Sequence, residues 1–341
     1  MANCFIRVVW AKAVFAAVVW AGGASAQIFL APPNQGSEDI GVYPVAPNFY
    51  MLAGAGGNIA VQTGPDGVVL VDAGSAEMTD KVLAAVAKLS DQPIRYIINT
   101  SADADRTGGN AAISKAGQSF LQNAPGLFAG GPTLGVVGAQ NPAAILATEN
   151  VLKRMSAPAG KQSAFPFAAL PAETFANDET AMYLNHEAIK VIAQPAAHTD
   201  GDAIVFFRRS DVIVAGDIID TDHFPVIDLD KGGSIQGEIA ALNRIIKITV
   251  ASVPLAWQDG GTYVIPGHGW LCDQADVVEY RDMVTIVRDV IQDLIRQGKT
   301  LEQVKAANPT QGYRTKYGTD SGPWTTDMFV EAIFKSLTAK K

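Results

Sequence analysis

Asp103, Asp105 and Arg106 crowd into four residues of the stretch INTSADADRTGGN (98–110), which begins inside a β-rich run at Ile94 to Asn99. Three more residues able to do chemistry stand in comparable places: His198 in AAHTDGD, Asp217 in VAGDIID and His268 in VIPGHG. Each follows a short apolar run that reads as a strand, and strand-end loops are where a rigid scaffold commonly places its reactive groups. Carboxylates and imidazoles ligate metal ions and move protons. Arg106 does neither, since a guanidinium cannot ligate and stays protonated. It can bind an anionic substrate, or pair with Asp105 or Asp103 in a two-pronged fork.

The elements that must position these residues alternate along the chain. Short apolar or alternating runs at Phe49 to Leu52, Asn58 to Thr63 and Val68 to Asp72 are split by turn signals such as Gly64-Pro65-Asp66-Gly67. A helix is predicted from about Ala76 to Ser90, another from near Gly109, and a third from Pro142 to Met155. Strands return at Met182 to Leu184, Ala188 to Ala193, Ala203 to Phe207, Val212 to Ala215 and Tyr263 to Ile265, with a helix over about Ser234 to Thr249. From Ala275 to Gln297 apolar residues recur at helical spacing, and Gly298 is a good stop. Thr300 with Gln303 reads as a capping box, and Thr325 as the cap of a final helix through Leu337. Residues 117–135 lack periodicity and read as a long surface loop. NIAVQTGPDGVVLVDAG (58–74) and DAIVFFRRSDVIVAGDI (202–218) echo each other as strand, turn, strand, then an aspartate. Two sheets covered by helices would satisfy this pattern.

The 341 residues allow one large domain or two small ones, and 48% hydrophobic content is ample for a large core. The first 26 residues read as a secretory signal: Arg7 and Lys12, an apolar run at 13–22, and the small-residue site Ala24-Ser25-Ala26. The alternative is a membrane anchor, for which the run is short against the roughly 20 residues that span a bilayer. Export to a periplasm is the expectation, with no stable membrane insertion once the signal is removed. Removal leaves 24 basic against 34 acidic residues, a net charge of −10, which disfavours nucleic acid as a partner. Cys4 would leave with the signal, so Cys272 would be alone and no intrachain disulfide could form. Oligomeric state is not legible.

In this order, the four chemical features resemble the metallo-β-lactamase fold superfamily, which includes glyoxalase II-like thioesterases. VVLVDAG, the Thr-Gly-Gly-Asn at 107–110 and FPVID…GGSIQG around 224–237 support the resemblance, which covers about 45–275. It implies an α/β fold, the four-layer αββα sandwich. Residues 27–44 would be an irregular N-terminal arm, and 276–341 a helical C-terminal extension packed on the same domain. The family's first motif is H-x-H-x-D-H. Here Ser101 falls at the first His, Asp103 at the second and Arg106 at the last, and only Asp105 is unchanged. His198, Asp217 and His268 match the later ligand positions.

The resemblance implies a metal-dependent hydrolase of an ester, thioester, amide or lactam bond in a small molecule. Asp105 would orient the attacking water or take its proton. One divalent ion would be held by Asp105, Asp217 and His268, with His198 or Asp103 as further ligands. Zinc is the first choice, and a ligand set rich in oxygen also suits Mn or Fe. Against any metal stands Arg106, which at about 4 Å would repel a dication by a few kcal/mol. With Arg106 in the metal's place the chain would instead be a non-catalytic binding protein needing no ion. A third reading, from exported relatives, is an accessory to periplasmic redox enzymes. Arg106 and His223 are candidates to touch substrate. His186 reads as a hairpin residue, Asp72 as a loop support and Cys272 as a buried thiol.

Overall fold

In the computed structural model, the residues described are 39–120, 141–159, 162–163, 165–252 and 260–339. The signal-like segment and most of the 117–135 loop lie outside them. In chain order the first half runs β1 (Gly41–Ala46), β2 (Phe49–Ala53), β3 (Ile59–Gln62), β4 (Val68–Val71), α1 (Thr79–Leu89), β5 (Ile94–Ile98), α2 (Ala104–Thr107) and α3 (Asn110–Ala116). It continues through β6 (Ala144–Thr148), α4 (Glu149–Ser156), a two-residue pair β7 (Pro158–Ala159) and β8 (Gln162–Ser163), and β9 (Glu173–Phe175). The second half runs β10 (Glu179–Leu184), β11 (Glu187–Ala193), β12 (Ala203–Phe207), β13 (Val212–Asp220), α5 (Ile235–Ile248) and β14 (Tyr263–His268). It ends with α6 (Gln274–Arg296), α7 (Leu301–Ala306), α8 (Arg314–Tyr317) and α9 (Thr326–Thr338).

Strands β1-β2-β3-β4-β5-β6-β9 form one sheet and β10-β11-β12-β13-β14 the other. The sheets pack face to face. Val69, Val71 and Ile98 of the first meet Val191, Ala203, Val205, Phe207 and Ile265 of the second. The intervening residues Val68, Leu70 and Ile97 point the other way, onto Val82 and Val86 of α1 and Ile113 of α3. On the far side Ile204, Ile213 and Val264 pack with α5, α6 and α9. The result is the expected four-layer sandwich. It also explains the continuous apolar runs: strands covered on both faces have no polar side to show.

The echoed segments form matching units. In one sheet β3 and β4 pair antiparallel and β4 then pairs parallel with β5. In the other β12 and β13 pair antiparallel and β13 pairs parallel with β14. The Thr300–Gln303 capping box, the Thr325 cap and the His186 turn all form.

Two segments to which the sequence reading assigned a structure are built differently. The helix predicted from Pro142 to Met155 is a strand, β6, followed by α4, whose cap is Thr148. AILAT is a short apolar run whose state is set by pairing, here Ile97 opposite Ile145 on β5. And β1 begins at Gly41, inside the span read as irregular, because pairing with β2 rather than local pattern makes it a strand.

Candidate functional site

The loop after β5 is built from its own side chains. Buried Asp72 accepts from the Thr100 backbone N at 2.8 Å and its hydroxyl at 2.7 Å. Burial, only partly offset by Arg106 and by these bonds, pushes the Asp72 pKa up to about 7. Asn99 and Asn110 bond each other at 2.8 and 3.1 Å, and Asn99 Nδ2 also donates to the Arg106 carbonyl at 3.1 Å. The loop carrying His198 repeats the aspartate–threonine device: Asp202 accepts from the Thr199 N at 2.8 Å and its hydroxyl at 2.7 Å.

These loops bring all the predicted residues to one end of the sandwich. Asp103, Asp105, His198, Asp217, His223 and His268 line a single cavity of about 570 Å³. Arg106 is not in its wall. It is fully buried, and its Nε lies 3.1 Å from each oxygen of Asp217, with Nη2 2.5 Å from Oδ1. Nη2 is also 3.3 Å from Asp105 Oδ2, and Nη1 donates to the Asn58 carbonyl at 3.4 Å. Its expected contact with substrate is therefore not what this geometry offers: the guanidinium braces the carboxylates from the protein side. Two glycines make room for it. A Cβ on Gly57 would lie 2.2 Å from Nη1, and one on Gly267 would lie 2.7 Å from Nη2. Burial opposes the Arg106 charge, but Asp217, Asp105 and Asp72 outweigh it and hold it protonated. Burial likewise opposes the Asp217 charge; Arg106 and His198 overcome it and keep the carboxylate ionised to well below its ordinary range.

Two constellations result. In the first, one ligand atom each from Asp105, Asp217 and His268 lies within 4.8 Å of the others. His268 Nε2 is 3.2 Å from Asp105 Oδ2 and 3.8 Å from Asp217 Oδ1. Two carboxylates and an imidazole on a cavity wall are a donor set suited to one divalent ion, and an ion there must share or displace the Arg106 Nη2 contacts to the same Asp105 Oδ2 and Asp217 Oδ1. In the second, Asp103 Oδ2 meets His198 Nε2 at 2.6 Å and Asp103 Oδ1 meets Lys231 Nζ at 2.8 Å. His198 Nδ1 faces the Val226 carbonyl at 2.7 Å, so both ring nitrogens face acceptors. Burial would lower the His198 pKa; the bond to Asp103 and nearby carboxylates push it up to about 10. Asp103, His198 and Asp217 also converge within 4.8 Å. Yet a cation there must displace both Lys231 and the proton shared with Asp103. The sequence reading offered His198 and Asp103 as ligands beside Asp105; the structure brings them within hydrogen-bond distance of each other and groups them with Asp217, where they could also hold an ion.

A sequence model of the metallo-beta-lactamase superfamily matches residues 53–119. Among solved structures, a metallo-beta-lactamase from Pontibacter korlensis aligns with a TM-score of 0.52 at 16% identity, over 72% of this chain and 99% of that one. This chain has the metallo-β-lactamase fold. The stereoselective inverting sec-alkylsulfatase Pisa1 from Pseudomonas sp. aligns with a TM-score of 0.57 at 14% identity, over 87% of this chain. A double mutant of that sulfatase gives 0.58 at 13% identity. This chain spans 50% of the length of the sulfatase chains. No curated protein sequence matches it.

On this metallo-β-lactamase fold the cavity has walls that the sequence reading did not assign. Lys231 sits between Asp103 and Asp228, 3.0 Å from Asp228 Oδ2. Asp220, three residues beyond Asp217 on β13, also faces the cavity, as does the segment Thr319 to Trp324 before α9. Lys231 had a local signal, since Asp228 three residues earlier both caps its turn and pairs with it. Trp324 had none, because the turn that brings it to the cavity depends on how the C-terminal helices pack.

Proposed function

We propose that this protein is a hydrolase of ester, thioester or amide bonds, lactams included, in a small molecule. It would work with one divalent ion held by Asp105, Asp217 and His268. The observation that carries the reading is the convergence of those three side chains on the cavity wall while Arg106 approaches the same carboxylates from the buried side. Zinc accepts such a set, and its two carboxylates also suit Mn or Fe. A bound ion would lower the pKa of water and polarise the substrate carbonyl. The protein's own part is to hold Asp217 in one orientation through Arg106 and to present Asp105 as acceptor of the water proton. Asp103, His198 and Lys231 would form a metal-free wall beside it. The adjacent Arg106 charge weakens binding of a dication, so modest metal affinity is expected.

A second reading is favoured by one observation, the 2.5 Å contact between Arg106 Nη2 and Asp217 Oδ1. In it the guanidinium is the site's cation, and the cavity binds a ligand without turning it over. Elemental mass spectrometry of residues 27–341, purified without chelator, separates the two. Close to one equivalent of Zn, Mn or Fe supports the hydrolase. No metal after incubation with excess ion supports the binding protein, and two equivalents would overturn the assignment of Asp103, His198 and Lys231.

The signal-like residues 1–26 support a periplasmic site of action. N-terminal sequencing of the protein from the periplasmic fraction of a bacterial host should begin at Gln27. Full-length protein retained in the cytoplasm would refute export.

A further inference from the structure

His223 and Asp220 form a second acid–base pair in the cavity, apart from the carboxylates around Arg106. Both line it. Asp220 is the last residue of β13, and its carboxylate is tied down at one end. Oδ1 accepts from the backbone N of Asp222 at 2.8 Å and of His223 at 3.0 Å. Oδ2 is thereby directed to His223 Nδ1, at 3.3 Å. The histidine's backbone is held as well. The hydroxyl of Tyr280, a buried residue of α6, donates to the His223 carbonyl at 3.2 Å. A ring fixed at both its backbone and its Nδ1 has Nε2 left to exchange a proton. The side chain is 43% exposed, so that nitrogen need not shed a buried shell before meeting a substrate.

The geometry differs from that of His198. There both ring nitrogens are committed, to Val226 and Asp103. Of the two histidines in the cavity outside the Asp105–Asp217–His268 set, His198 has a close contact on both ring nitrogens, whereas His223 has one, from Nδ1 to a carboxylate. The hydrogen bond that His223 donates to Asp220 raises the His223 pKa against partial burial, which keeps a transferable proton on the ring nearer neutrality.

We infer that His223, positioned by Asp220, is the general acid that protonates the departing group. This rests on the hydrolase reading above. Water adds to the substrate carbonyl, its proton passing to Asp105, and a tetrahedral adduct forms. When the adduct collapses, the bond from carbon to the leaving oxygen, sulfur or nitrogen breaks, and its electron pair stays on the leaving atom. The His223 Nε2 proton transfers to that atom as it departs. The products are the carboxylic acid and the free alcohol, thiol or amine; Asp105 releases its proton to solvent and His223 takes one back, so no net proton is gained. Positioned proton transfer of this kind contributes about 10²–10⁴-fold. It matters most for a leaving group that is strongly basic.

The test uses residues 27–341 loaded with whichever ion elemental analysis identifies, and substrate pairs sharing an acyl group but differing in the leaving group. A p-nitrophenyl ester and the matching ethyl ester are one pair; an aryl and an alkyl thioester are another. His223→Gln is expected to slow the alkyl member by about 100-fold or more and the aryl member by far less, following the size of general-acid effects. Equal losses on both members, or no loss on either, would overturn the role while leaving the hydrolase reading intact. A wild-type protein inactive on every pair would overturn that reading and this role with it. Asp220→Asn supplies the readout for positioning. The charged groups near the ring are Asp220 and Asp222 on its own loop and Asp228, Lys231 and His268 on the shared wall, with the Tyr280 hydroxyl at its carbonyl. Replacing Asp220 should move the alkaline limb of the alkyl-ester profile to lower pH, and ¹⁵N spectra should show a matching fall in the His223 pKa. An unchanged limb and an unchanged His223 resonance would refute the pairing.

Discussion

Arg106 and Asp217 are 111 residues apart, one in α2, just after β5 of the first sheet, and one within β13 of the second, yet Nε of the arginine stands 3.1 Å from both oxygens of the aspartate. Their contact therefore ties the two sheets together at the rim of the cavity. It also fixes the carboxylate that the proposed ion would share with Asp105 and His268.

Removing the guanidinium should cost far more than a surface charge. Arg106→Met leaves Asp217 and its neighbours without their buried partner, and breaking such a pair typically costs about 3–5 kcal/mol. Arg106→Lys should fall between, since an ammonium cannot reproduce the fork of Nε and Nη2. Urea denaturation of the three proteins gives the order. A methionine variant as stable as wild type would mean that Arg106 does not hold Asp217.

The glycine slot can be tested against the side chain it admits. A Cβ at Gly57 would meet Arg106 Nη1 at 2.2 Å. Gly57→Ala should therefore destabilise by about 1–3 kcal/mol, the usual cost of overpacking. Part of that cost should vanish in the Gly57→Ala/Arg106→Met double mutant. A double-mutant cycle with no coupling would place the strain elsewhere.

The His198–Asp103 pair predicts a pH window. The folded His198 pKa is about 10 against an ordinary 6.5. A raised folded pKa means the stabilisation is complete below 6.5 and is lost as pH climbs through 10. The stability difference between wild type and His198→Asn, measured with chelator present, should be largest near pH 6 and shrink towards pH 10. A gap constant over that range would show that the ring is not held as imidazolium.

Two threonines share one role on opposite sheets. Thr100→Val and Thr199→Val each remove a hydroxyl donor from a buried carboxyl, Asp72 or Asp202. Each should cost about 1–3 kcal/mol, the range for leaving a buried acceptor unmatched. Thermal unfolding of both variants checks it; a neutral Thr100→Val would show that the backbone N alone suffices for Asp72.

The sequence by itself determined most of the strands and the order in which the chemical residues follow them. Runs such as VVLV and AIVFF are apolar on both sides because both faces are covered, and short-range pattern carries that information. Caps at Thr300 and Thr325 were legible for the same reason: a cap is a local hydrogen bond. AILAT at 144–148 was not, because a short, mostly apolar run becomes strand or helix according to what lies beside it. The site divides in the same way. Residue types named Asp105, Asp217 and His268, but only tertiary structure decided that Arg106 lies behind them, that Asp103 pairs with His198 and Lys231, and that Asp220 aims His223. Those outcomes depend on distances between loops of different sheets, on the space left by Gly57 and Gly267, and on burial that sets which charges must be matched. None of these is a property of neighbouring residues in the chain.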